Sequence, residues 1–190
     1  MPTQSLAHIR DAFNAFRVES VWLQTVHNTF CALYSSGPET DKLLQNTAPV
    51  FFHDLNSIFI EYWILIICRL TDPAKMNGRE NLTAKNLVEN LRELGMLTEP
   101  IEREANGLQR YRDVLNTARN RVVSHADKDT FLQPELIGEH SQDELTSFLA
   151  HLQRFNDLVG EAIGEGPLDF SATSGSGDAY DLLRALRNAA

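Results

Sequence analysis

From Thr3 to Ser36 the chain carries no glycine or proline, and Ile9, Phe13, Phe16, Ser20, Leu23, His27, Phe30 and Tyr34 recur there in alternating steps of four and three. Such steps return side chains to one face of a 3.6-residue helix, so the segment can bury its apolar residues only as one long amphipathic helix, ended by Gly37-Pro38. A helix with one apolar stripe needs other helices against it.

The rest of the chain supplies them. A second helix is expected from Thr47, whose hydroxyl can cap a first turn carrying Pro49, along Phe52, Leu55, Phe59, Tyr62, Ile66 and Leu70 to Asp72-Pro73. Phe51, Ile58, Trp63 and Ile67 widen that stripe, which predicts the most buried helix of the set. After a polar connection from Asp72 to Leu82, Thr83 caps a short third helix with Leu87, Leu91 and Leu94, closed by Gly95. A fourth opens at Thr98 and passes Ile101, Ala105, Leu108, Tyr111, Leu115, Ala118 and Val122 to reach Asp127, with Gly107 as a candidate bend. Ser141 and Glu144 form a capping box for a fifth, with Leu145, Phe148, Leu152, Phe155 and Val159 on one face.

No alternating strand pattern occurs, so the fold class is all-α: a bundle of four to five antiparallel helices. Five of the ten glycines fall between Gly160 and Gly177. The expected organisation is therefore a helical domain over residues 1–163, a flexible linker over 164–177, and a short amphipathic C-terminal helix over 178–190 with Ala179, Leu182, Leu183 and Leu186 on one side.

A length of 190 residues with 43% hydrophobic and 23% charged content suits one soluble globular domain. The net charge of −9 argues against coating nucleic acid or an anionic membrane by bulk charge. The longest strictly apolar run, Tyr62 to Cys68, is far shorter than the roughly 20 residues of a membrane span. The N-terminal residues lack the apolar stretch of a signal peptide, so the expected location is the cytoplasm, with no membrane partner. Cys31 and Cys68 then stay reduced and serve as small hydrophobes.

One region breaks the acidic average. Between Arg103 and Lys128 lie Arg103, Arg110, Arg112, Arg119, Arg121 and Lys128 against Glu104, Asp113 and Asp127, a local surplus of +3. Such a contrast fits local polyanion binding, and it equally fits a solvated helix face with intrahelical pairs. At the end of this helix stands Arg119-Asn-Arg-Val-Val-Ser-His125, in which Arg119 and His125 are offset by about 120° and ~9 Å of rise, so both can border one groove without touching. His125 also extends the stripe of Leu115, Ala118 and Val122, which fits a satisfied core histidine as well as a functional one.

The segment Thr117-Ala-Arg-Asn-Arg-Val-Val-Ser-His-Ala-Asp-Lys128 resembles the signature of the HEPN superfamily, small all-helical domains of prokaryotic toxins, phage-defence proteins and RNases. Arg119, Asn120 and His125 fill its arginine, polar residue and histidine. Upstream, Arg69-Leu-Thr-Asp72 and Asn81-Leu-Thr83 resemble the abortive-infection branch, as does the His-x-Asp ending at Asp127.

The resemblance implies a HEPN-like bundle and metal-independent RNA cleavage at a two-fold homodimer interface, with no cofactor and no metal. His125 would move a proton at the ribose 2′-hydroxyl or the leaving oxygen, Arg119 would hold the scissile phosphate, and Asn120 would orient both. Arg112, Arg121 and Lys128 would add RNA contacts, and an antitoxin or other protein partner is implied. In HEPN toxins paired with nucleotidyltransferase antitoxins a tyrosine stands two residues after the histidine; Asp127 stands there in this chain.

Two alternatives remain open at this point. One is a catalytically silent HEPN module that binds RNA or protein. The other is a metal-dependent helical-bundle enzyme using His27, His53, His140 and His151, although the Glu-x-x-His pairs of a di-iron bundle are absent.

Overall fold

Each stripe read from the sequence forms a helix. The computed structural model describes residues 5–122, 142–167 and 175–189, and the side chains among them except at 116–122 and 142. The order is α1 (Leu6–Tyr34), α2 (Pro38–Thr47), α3 (Pro49–Thr71), β1 (Lys75–Met76), β2 (Arg79–Glu80), α4 (Ala84–Glu93), α5 (Glu99–Val122), α6 (Gln142–Ile163) and α7 (Ala179–Ala189). The protein is all-α apart from one small hairpin among the described residues.

Two details differ from the sequence expectation near residue 47. Gly37, at φ 94°, precedes a helix of its own, α2, with Pro38 at its start and Glu39 and Asp41 in its first turn. Thr47 therefore caps nothing: it is the last residue of α2 and its Oγ1 donates to the Leu43 carbonyl at 2.8 Å. The polar connection after α3 also contains structure. Asn77 and Gly78, at φ 52° and 77°, make the tight turn that pairs Lys75 with Glu80 and Met76 with Arg79.

The chain divides into two compact units, residues 1–21 with 64–168, and residues 22–63 with 169–190. In the first, Ile9, Phe13 and Phe16 of α1 are buried, and Phe16 meets Phe155 of α6 edge-on at 5.7 Å between centroids. Ser20, polar but buried in the same stripe, accepts from Asn156 Nδ2 at 3.2 Å and donates to the Phe16 carbonyl at 2.9 Å. The end of α6 is closed by Arg10, whose Nε and Nη2 both donate to the Ile163 carbonyl, at 3.1 and 2.9 Å. That guanidinium satisfies a carbonyl the helix cannot. Thr83 caps α4 by accepting from the Asn86 amide, Gly95 ends it at φ 68°, and α5 packs along α6 and α4.

In the second unit, Ala32, Leu33, Leu44, Phe52, Ala179 and Leu183 form a buried cluster, so α7 docks on the body of its unit. Phe30 and His27 of α1 each lie 5.1 Å from the Trp63 ring, and Tyr34 donates to the Phe52 carbonyl at 2.8 Å. The expectation that α3 is the most buried helix is not met over its full width. Phe51 and Ile58 are 59% and 60% exposed. By length and composition α3 meets the measure of a bilayer span, with mean hydropathy 1.4 over its most apolar stretch. A core helix passes the same measure; Ile64, Ile66, Ile67 and Leu70 are buried in protein, while only 28% of that apolar stretch is buried as a whole.

Candidate functional site

Of the residues read as functional, Arg112, Arg119, Asn120 and Arg121 lie on α5. Its alternation of Ile101, Leu108, Tyr111 and Leu115 buries one face, and the same helix carries Arg119, Asn120 and Arg121 in its last turns. His125 and Lys128 lie outside the described residues, as do Ser141 of the expected capping box and His140.

Arg112 is placed differently from its expected RNA contact. Its Nη2 donates to Asp72 Oδ1 at 2.7 Å, with only 12% and 15% of the two side chains exposed. The pair ties α5 to the residue that follows α3. The neighbouring motif residues are likewise structural: Asn81 Nδ2 donates to the Pro73 carbonyl at 2.8 Å, its amide donates to the Ala74 carbonyl, and Thr83 caps α4. Among the described residues, Arg69 of the same motif pairs with Glu19 at 3.7 Å, with 57% and 35% of the two side chains exposed.

A polar cluster that the sequence reading did not single out sits between α5 and α6. Glu104 is buried, 4% exposed, on the inward face of α5. His151 Nδ1 lies 2.7 Å from its Oε2, while Arg103 Nε and Arg154 Nε stand 3.3 and 3.7 Å from its Oε1. Burial alone would push the carboxyl upward, but the bonds from His151 and Arg103 outweigh it and hold Glu104 below the ordinary carboxylate value.

Gly107 makes the pairing feasible. A Cβ there would fall 2.6 Å from the His151 ring, so the imidazole lies directly against the α5 backbone. The glycine read as a candidate bend is thus a site of close approach. A signal existed: Glu104 interrupts an apolar stripe between Ile101 and Leu108, and a charge at such a position needs a partner.

Beside this cluster opens a cleft of about 240 Å³ whose lining includes Arg110, Tyr111, Glu144, Ser147 and His151. Burial and the nearby Glu144 charge push the Tyr111 hydroxyl far above its ordinary value, so it stays a phenol. His27, among the alternatives for a metal, packs on Trp63 with Nε2 3.6 Å from the Cys31 sulfur, and burial lowers its basicity. No three His, Cys, Asp or Glu side chains come together as a metal-binding group among the described residues.

The family model for HEPN AbiU2 matches residues 6–182. The chain belongs to that family. HEPN AbiU2 membership covers nearly its whole length and carries with it the abortive-infection type of the superfamily. No curated protein and no solved structure matches the chain.

Proposed function

We propose that this HEPN AbiU2 protein is a metal-independent endoribonuclease, a toxin or phage-defence effector active in the cytoplasm at a homodimer interface, with RNA as substrate, no membrane association and a further protein partner as its restraint. The observation that carries the reading is a family match that encloses Arg119, Asn120 and His125 in the motif order of the superfamily. Arg119 grips the scissile phosphate through its fixed guanidinium fork as charge builds on it. His125 takes the 2′-hydroxyl proton, the 2′-oxygen attacks phosphorus, and the 5′-oxygen leaves after protonation by the histidine of the second protomer or by water. Asn120 orients the pair, and Arg121 and Lys128 hold neighbouring phosphates. Arg112, bound to Asp72, is withdrawn from that set.

The test is incubation of pure protein with total RNA in EDTA, reading fragments and end groups. Cleavage by wild type leaving 2′,3′-cyclic phosphate ends, abolished by His125→Ala and by Arg119→Ala, is the expected result. Unchanged cleavage by pure His125→Ala protein removes the catalytic assignment, and binding of RNA without cleavage by wild type replaces the reading with a silent module.

A further inference from the structure

A single buried carboxylate, Glu104, gathers two guanidinium groups and an imidazole around one point on the α5–α6 seam. One negative charge cannot neutralise them. Counting the cleft beside it, three arginines (Arg103, Arg110 and Arg154) stand against Glu104 and Glu144, in a chain whose overall charge is −9. A local positive surplus on so acidic a chain fits an anion, and its lining indicates which kind.

Three polar groups on that cleft have no protein partner among the described residues: the Arg110 guanidinium, the Ser147 hydroxyl and Nε2 of His151. The bond of Nδ1 to Glu104, and the contact of the ring with Gly107, fix the imidazole so that Nε2 is directed away from the carboxylate. Nε2 is thus the ring nitrogen left to meet a ligand in the cleft. A guanidinium fork, a hydroxyl and a ring nitrogen from two helices face the cleft from several directions, which suits a tetrahedral oxyanion better than a planar carboxylate.

We propose that the α5–α6 cleft at Arg110, Ser147 and His151 binds a phosphate group, with Glu104 as the residue that positions the histidine. The phosphate belongs either to an RNA strand or to a free nucleotide. The site stands apart from the Arg119 and His125 assignment, since none of its residues is used there.

The test is a titration of isotope-labelled full-length protein with inorganic phosphate, AMP and a short single-stranded RNA, following the His151 ring and the Gly107 and Ser147 amides by NMR. Saturable shifts at these groups are expected, weakened at least about tenfold in Arg110→Gln and unchanged in Arg69→Gln. Saturation by AMP but not RNA assigns the site to a nucleotide, and tighter saturation by RNA assigns it to a strand. Absence of saturable shifts with all three probes, or shifts that survive Arg110→Gln, overturns the proposal. Running the same titration on His125→Ala separates the two readings: retained shifts with lost cleavage uphold both, whereas cleavage by a wild type that shows no shifts removes this site alone.

Discussion

Arg112 and Asp72 stand 2.7 Å apart with their charged ends mostly shielded from water, joining the middle of α5 to the residue just past α3. A cation read from the sequence as an RNA contact is thereby committed to the fold.

Removing one partner of a shielded pair leaves the other desolvated and without its guanidinium. Arg112→Ala is expected to cost about 3 kcal/mol, the lower end for a buried pair because both side chains keep some exposure. Urea denaturation measures it, and the double variant Arg112→Met, Asp72→Leu should recover most of the loss. A near-neutral Arg112→Ala with weakened RNA binding would return the residue to the surface role.

Gly160 and Gly107 provide a paired comparison. A Cβ on Gly160 would lie 2.5 Å from the Gly166 carbonyl oxygen, which is backbone, whereas one on Gly107 meets the His151 side chain. Overpacking costs about 1–3 kcal/mol, offset by ~1 kcal/mol because alanine favours helix. Gly160→Ala should therefore lower the melting temperature more than Gly107→Ala. Only Gly107→Ala should disturb the His151 ring resonance, since only there does the new methyl press on the imidazole.

Acid should unfold the protein partly through Glu104. Its folded-state value lies below the unfolded value of about 4.5, so the stability it contributes is present above that pH and lost as pH falls through the folded value. Melting temperatures taken from about pH 6 down to about pH 3 should fall less steeply for Glu104→Gln than for wild type. Parallel curves would show that the His151 and Arg103 bonds add nothing to the ionised form.

Leu183 of α7 is buried with Leu33, Leu44 and Phe52. Truncation to alanine is expected to cost about 2–5 kcal/mol to the unit that contains it. Limited proteolysis is the direct reading, with faster cleavage within residues 22–63 in Leu183→Ala. Exposed Leu182→Ala serves as the control that should change little.

The apolar periodicity along α1, α4, α5 and α6 was legible because a helix needs only local hydrogen bonds, and its burial face is written in steps of three and four. The caps at Thr83 and Gly95 were legible for the same reason, being set by neighbours within a few residues. The hairpin at Asn77-Gly78 and helix α2 had local signals too, but short elements carry few residues of evidence. The positions of Arg119 and Asn120 near the end of α5 followed from the same local pattern.

What the sequence by itself determined, then, is the helical class, most of the stripes and the likeness to its family. Only the tertiary structure decided which charges are available and which are committed. Arg112 and Asp72 are 40 residues apart in the chain, and Glu104 and His151 are 47 apart. Pairing across such separations depends on how α5 meets its neighbours, and on a glycine that lets one ring approach the backbone. No spacing rule along the chain encodes that approach; it is fixed by close packing between helices.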